Sequence, residues 1–295
     1  MSETEAARSE ELPLLAVIGA AGLCGTHVLE AAKHAQVRVR AVVHSPAGRE
    51  RVAALGADEI VEADLEEPDS VRSALKGAEL VFMIPPPFHP EEDVLATSAL
   101  KAAEQAGARK FVYLSVFHPH TPELHHHMRK ANAEAAVHES NLDWTILQPS
   151  MFAQIVLSTW GQAPAGAVHV PFDVHHEFSL IDLRDLAEVG VKIAAEQGHD
   201  AATYELAGPS IALSEAIGLA GRARGVELEA TTVDWAEATL PPGVAASPSQ
   251  ATDMRAMWQY YDRRGHRGNS NVLRMLLGRE PASFEQAAAA FAARG

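Results

Sequence analysis

The run Gly19-Ala20-Ala21-Gly22-Leu23-Cys24-Gly25 sets three glycines at intervals of three residues, a pattern suited to holding a pyrophosphate. Gly19 permits a tight turn, Gly22 lets backbone amides approach an anion, and Gly25 leaves room for a helix to lie close to the layer beneath it. Ala21, Leu23 and Cys24 complete the loop, and a helix opening there aims its N-terminal amides at the same anion. The spacing is G-x-x-G-x-x-G rather than G-x-G-x-x-G, so its context has to decide. Cys24, the single cysteine, has two readings: a small packing residue, or a thiol made redox-sensitive by the helix dipole. A second concentration of chemistry is histidine-rich. The chain has 15 histidines, and His118, His120, His125, His126 and His127 all precede Lys130 closely. Consecutive residues on a helix fan out by about 100° each, so His125, His126 and His127 cannot share one ion. No HExxH pattern and no carboxylate-rich set accompanies them, and no metal is expected. His126 and Lys130, four apart, share one helical face. The ammonium disfavours a protonated imidazole, leaving His126 either a neutral proton relay or a packed side chain.

The elements that must position these groups alternate. Apolar runs at 14–20, 37–43, 59–64, 79–85, 110–116 and 144–149 are separated by helical stretches at 23–35, 48–55, 68–76, 91–106 and 125–139. Strands alternating with helices pair in parallel through right-handed crossovers, which predicts an α/β Rossmann-type doubly wound sheet. That domain is expected over 12–155, with returning segments at about 178–208, where FSLID, a helix over 183–196 and TYELAG follow one another. Residues 156–295 are read as a smaller interleaved region covering the carboxyl ends of the strands, where open α/β sheets bind ligands. It includes a helix over 213–224, a strand over 228–234, turn composition at 241–250 and terminal helices. Residues 1–11, rich in glutamate, read as a solvated, disordered tail.

Placed on this scaffold, the glycine loop follows the first strand and opens the first helix, which makes it a dinucleotide site. The second strand ends in His44-Ser45-Pro46, with Arg49 and Arg51 beyond and no carboxylate at the ribose position. His44, Ser45 and Arg49 suit a 2′-phosphate, so NADP(H) is favoured over NAD(H). Asp64 and Leu65, after the third strand, suit the adenine edge, with helix capping as the other reading of Asp64. Pro85-Pro86-Pro87-Phe88 forms a stiff, donor-poor wall, with Pro85 on the cofactor side and Phe88 toward substrate. His118 lies past the fifth strand, at the expected cleft mouth. His175 and His176 precede FSLID in the second region, and His176 is a candidate to reach the same cleft.

With those residues in place, the chain resembles the NmrA-like branch of the atypical short-chain dehydrogenase/reductase superfamily, relatives of the isoflavone reductases. The stretches that carry the resemblance are VIGAAGLCG, VRAVVHSP, ADLEEPDSVRSALKGAELVFMIPPP, KFVYLSV, HHHMRKANAEAAVHESNLDWTILQPSMF, FSLIDLRDLAEV, TYELAGP and NVLRMLLGREPASFEQ. It implies an NADP(H)-binding domain joined to a smaller substrate or partner region, in proteins that either reduce aromatic or quinone-like compounds or sense the nicotinamide redox state. It also implies that Lys130 anchors the nicotinamide ribose and manages the proton, and that Pro149 and Phe152 run past the nicotinamide, with Phe152 toward substrate. The departure from the wider superfamily is at Tyr-x-x-x-Lys, where His126 stands in the tyrosine register, and Ser115 falls early for the usual serine. The expected function is an NADPH-dependent reductase of a small apolar carbonyl, quinone or conjugated compound. A non-catalytic NADP(H) sensor acting on a protein partner and a redox-neutral lyase or isomerase are the alternatives.

Composition narrows the field. The formal charge of −15 over 295 residues disfavours nucleic acid and anionic membranes as partners. No run approaches the roughly 18 apolar residues of a membrane span, and the N-terminus has no leader pattern. One cysteine precludes an internal disulfide, consistent with a cytoplasmic protein.

Overall fold

The computed structural model describes residues 12–245 and 247–293; the expected N-terminal tail, 1–11, lies outside them. The first half of the chain alternates as β1 (Leu14–Ile18), α1 (Leu23–Ala32), β2 (Arg38–Val43), α2 (Pro46–Val52), β3 (Glu59–Glu62), α3 (Pro68–Leu75), β4 (Leu80–Met83), α4 (Glu92–Ala106), β5 (Lys110–Leu114), α5 (His125–His138) and β6 (Asp143–Pro149). The inner strands LLAVI, LVFM and KFVYL are buried along their whole length, as expected of strands covered on both faces.

There follow β7 (Met151–Phe152), α6 (Ala153–Thr159), β8 (Gly166–Val170), β9 (Glu177–Ile181), α7 (Leu183–Ala195), β10 (Ala202–Leu206), β11 (Ser210–Ala212), α8 (Leu213–Ala223) and β12 (Leu228–Thr232). The chain closes with α9 (Pro242–Ala245), α10 (Pro248–Arg264), α11 (Asn271–Leu277) and α12 (Phe284–Ala292). Seven strands form one parallel sheet in the order β10-β6-β5-β4-β1-β2-β3. This is the Rossmann-like α/β architecture expected. Strand order reverses between β1 and β4, and a crevice opens there at the carboxyl ends.

Alternate residues of β1 serve two cores. Leu15 and Val17 pack with α1 and α7, whereas Leu14, Ala16 and Ile18 face α3, α4 and α5. A third core, with Phe172, Phe178, Trp258, Tyr261 and Phe284, holds the later elements together. These elements include a three-stranded sheet, β11-β9-β7, and the pair β12-β8. The glycine- and proline-bearing stretch 161–171, which the sequence presents as irregular, contains β8 because Gly166–Val170 pairs in parallel with Leu228–Thr232. Among the described residues no helix is long and apolar enough to cross a membrane.

The main and small sheets meet at Gly208, where a Cβ would lie 2.1 Å from the Leu180 carbonyl oxygen. That neighbour is backbone and cannot yield. Gly208→Ala should therefore cost about 1–3 kcal/mol. Gly218→Ala, on α8 with only the far end of Arg222 near, should be neutral or stabilise by up to about 1 kcal/mol. Urea melts of both variants check this, and equal midpoints would contradict it.

Candidate functional site

The β1–α1 turn is built by exclusion. Gly19 has a φ of 78°, and a Cβ there would meet the Ile84 carbonyl oxygen at 2.5 Å, while one on Gly25 would meet the Gly19 carbonyl at 2.3 Å. Gly22 caps α1 in an extended conformation without a side-chain hydrogen bond. The first-turn amides are thus left for an external acceptor. Gly19, Ala21, Gly22, Leu23 and Cys24 line a cleft of about 1220 Å³, and Gly25 packs beneath it, buried. Burial pushes the Cys24 thiol up to about 12, against the dipole-activated reading and in favour of packing.

Toward the ends of β2 and β3, His44, Asp64, Leu65 and Pro85 line the cleft. Asp64 does not cap α3, whose cap is Glu67; its carboxylate instead accepts the Glu66 amide at 3.0 Å, in a local turn. Ser45 and Arg49 lie outside the lining. Ser45 caps α2 by accepting the Gly48 amide at 3.3 Å, and Arg49 is paired with Glu62 at 2.9 Å. The cation that reaches the glycine loop is Arg51, which donates to the Ala21 carbonyl at 3.1 Å. Two residues, about 200° of helix, separate Arg49 from Arg51 and set them on opposite faces of α2, and sequence position alone could not rank them.

Farther in, α5 brings His126, His127 and Lys130 to the cleft. Lys130 Nζ lies 2.5 Å from Glu92 Oε1 and 3.4 Å from the Leu114 carbonyl, and it sits 5.9 Å from the centre of the Tyr113 ring. Glu92 is fully buried and was not legible as a site residue, since it is one of several acids opening α4. Ser115 also lines the cleft despite its early register, but its hydroxyl donates to Glu134. Glu134 in turn accepts from Gln148 Nε2 at 2.9 Å. Burial, followed by Glu92, Glu134 and Asp93, drives the Tyr113 phenol well above its ordinary value.

The histidines divide. His126 packs 4.6 Å from Phe88, with its Nδ1 buried and unpartnered among the described residues. Burial first, then His127, Lys130, Arg129 and His266, hold it well below the usual range. It is a neutral imidazole, as expected, with desolvation ahead of the lysine as the cause. Burial likewise lowers His127 to about 4, although its Nδ1 meets the His118 carbonyl at 3.1 Å. His266, which also lines the cleft, falls to about 3.

His118 and His176 do not join the cleft lining. His118 stacks on Phe117 at 3.7 Å and leans toward Glu205, because its positive φ of 52° turns the ring outward from β5. His176 meets the Asp262 carbonyl at 3.0 Å, and lines a separate depression with Glu177, Arg264 and Arg267. Pro149, Phe88 and Phe152 do line the main cleft. Its far wall is apolar and comes from segments that carry no motif: Trp160, Phe172, Met254, Met257 and Trp258. Among the described residues no three His, Cys, Asp or Glu stand together as a metal site.

The residues present fit a dinucleotide. A glycine cradle that no Cβ could share opens on uncapped helix amides, Lys130 lies deeper in the same cleft, and the volume exceeds the roughly 300–1,000 Å³ of a site for one small molecule. The family profile described as NAD(P)H-binding matches residues 19–197. The NAD(P)H azoreductase of Xenophilus azovorans is 27% identical over 95% of this chain and 98% of its own length. The structure of an NADPH-dependent quinone oxidoreductase from Escherichia coli, complexed with NADPH, superposes with a TM-score of 0.76 at 20% identity, covering 94% of this chain and 99% of that one. NmrA, a negative transcriptional regulator in complex with NAD, superposes at 0.74 with 15% identity, covering 95% of each chain. The last two likenesses are of fold.

The buried neutral imidazoles, among them His127 and His266, make folding pH-dependent with a defined sign. Their folded pKa values lie below the unfolded value of about 6.5, so the stability they contribute is complete above 6.5. It is lost as pH falls toward about 4 for His127 and about 3 for His266, on the order of 3 kcal/mol or more for each. His266→Phe should hold its melting temperature better than the wild type between pH 6.5 and 4. Parallel curves for the two proteins would refute this.

Proposed function

The chain belongs to the NAD(P)H-binding family, and from that premise we propose that it is an NADPH-dependent reductase of flat, apolar acceptors such as quinones and conjugated carbonyl or azo compounds. The observation that carries the reading is Lys130. An ammonium has three N–H donors; one goes to the Leu114 carbonyl, the charge is paired with Glu92 at 2.5 Å, and donor capacity remains for the cleft that Lys130 lines. A bound nicotinamide would supply the hydride. The protein's residues supply the rest. Lys130 holds the ribose and gives a proton to the oxyanion or amide anion of the reduced acceptor; an Nζ–H bond breaks, an O–H or N–H bond forms, and the amine regains its proton from water.

The wall of Trp160, Phe172, Met254, Met257 and Trp258 suits an aromatic acceptor. Neutral His126, beside Phe88, borders the same space and neither repels nor neutralises a developing anion. The similarity to an azoreductase over nearly the whole chain supports the same class. At the adenosine end, His44 and the Arg51 guanidinium receive the 2′-phosphate, with Arg49 a second cation once Glu62 releases it.

A second reading rests on His126. With a histidine in the tyrosine register, the protein would bind NADP(H) and report its redox state to a protein partner, and the fold shared with NmrA accommodates this. Comparison of partner capture with NADP and with NADPH separates the two readings.

Calorimetric titration should rank NADPH above NADH by about tenfold or more, a difference of about 1.4 kcal/mol, and Arg51→Ala should erase most of that gap. Equal binding of the two nucleotides would remove the NADP preference. In a panel of quinones and azo compounds, Lys130→Ala should lower kcat by about 100-fold. A wild type whose NADPH oxidation no acceptor in the panel accelerates would reject the reductase and leave the sensor.

A further inference from the structure

Glu92 is the first residue of α4, and the whole residue is excluded from solvent. Among the described residues neither of its carboxylate oxygens accepts a hydrogen bond of ordinary geometry; the ammonium of Lys130, at 2.5 Å, is the charge it faces. A buried ion pair without supporting hydrogen bonds is a poor stabiliser, since the cost of desolvating both charges can exceed their attraction. Well-packed apolar residues of the same volume would serve the fold as well or better. Glu92 also does not line the cleft, whereas Lys130 does. The carboxylate therefore stands behind the lysine, on the side away from any ligand.

We propose that Glu92 is the positioning residue of the site: it grips Lys130 Nζ from beneath, with the Leu114 carbonyl, so that the remaining N–H points at the nicotinamide ribose and the acceptor. Four local features give the grip its direction. The stiff Pro85–Pro87 segment and Phe88, at a φ of 60°, turn the chain back from β4 into α4. The Glu92 amide is anchored on the His89 carbonyl at 3.1 Å. A carboxylate in the first turn of a 15-residue helix is favoured by the helix dipole. Lys130 leaves α5 one turn after His126 and meets Glu92 across the α4–α5 seam.

The charges around the ammonium are few. Glu92 and Asp93 come from α4, Tyr113 from β5, His126, His127 and Glu134 from α5, and Cys24 from α1. His126 and His127 are neutral, the Cys24 thiol and Tyr113 phenol are protonated, and Glu134 is engaged by Ser115 and Gln148. Asp93 accepts from Asn132 at 3.0 Å. Glu92 is thus the carboxylate left to the lysine.

This inference rests on Lys130 acting at the nicotinamide, and its test is a double-mutant cycle read in two ways: NADPH affinity by calorimetry, and kcat with a quinone. Lys130→Ala should weaken NADPH binding about tenfold and lower kcat about 100-fold. Glu92→Gln should weaken binding about threefold and lower kcat about tenfold, with the KM of the quinone unchanged, and Glu92→Asp should recover part of both losses. In the Lys130→Ala background Glu92→Gln should change neither quantity by more than about twofold, because a residue that acts through another has nothing left to position. A Lys130→Met/Glu92→Leu pair removes both charges, guards against loss of the fold, and should bind NADPH as weakly as Lys130→Met alone. Equal costs of Glu92→Gln in both backgrounds, or wild-type behaviour of Glu92→Gln, would overturn the assignment. If the wild type reduces no acceptor, the reductase reading falls, and the affinity cycle decides Glu92 by the same criterion.

Discussion

The site depends on one steric constraint: two backbone segments cross so closely at the β1–α1 turn that no side chain fits between them. Gly25 lies under the Gly19 carbonyl, and Gly19 lies against the Ile84 carbonyl at the end of β4. This is where β1 and β4 part company and the sheet changes direction. Any larger residue would lift α1 from the sheet and carry its free amides away from the crevice. From that contact follow the dinucleotide cradle, the direction of α1, and the placement of the Pro85–Phe88 segment that begins where Ile84 ends. Glycine is needed here for what it lacks, and only Gly19 needs its positive φ as well.

The second organising feature is dryness. The deep part of the cleft surrounds one buried cation with the buried carboxylates of Glu92 and Glu134, neutral imidazoles and a protonated phenol. Desolvation leads the causes that hold His126, His127 and His266 uncharged. An ammonium in such surroundings interacts strongly with any charge that develops nearby, because little water is present to screen it. The same dryness exposes the fold to acid, since the imidazoles and the site share one environment. Stability and chemistry are thus coupled through burial, and α10 helps to provide it by packing Trp258 and Tyr261 over the cleft while Asp253 pairs with Arg129 of α5.

The sheet was legible in the sequence because its strands are short apolar runs set between helices, a signal carried by each segment alone. The glycine loop was legible for the same reason: its three glycines act within seven residues. Glu92 was not, because its role comes from meeting Lys130 across a helix seam, and nothing about an acid near the start of a helix distinguishes that partner from solvent. Arg51 was passed over for Arg49 because the two lie on opposite faces of α2, and only the fold decides which face meets the loop and which meets Glu62. His118 and His176 were placed by nearness in the chain to strand ends, yet backbone φ at His118 and a carbonyl of α10 at His176 direct the two rings elsewhere. The apolar wall is written in unremarkable residues just past α6, just past β8 and within α10, and only their convergence makes a surface. His266 belongs with them: it follows Arg263 and Arg264 at the end of α10, and pairing of its backbone with β9 draws the ring inward.

In the proposed function, Lys130 presents a proton donor to a hydride acceptor held in this cleft. The most direct test is a single turnover in which NADPH-loaded protein is mixed with a stoichiometric quinone and the nicotinamide absorbance is followed beside quinol formation. Both signals should change together in the wild type and slow together in Lys130→Ala. Bound NADPH that persists in the presence of bound quinone, or equal rates in the two proteins, would contradict it.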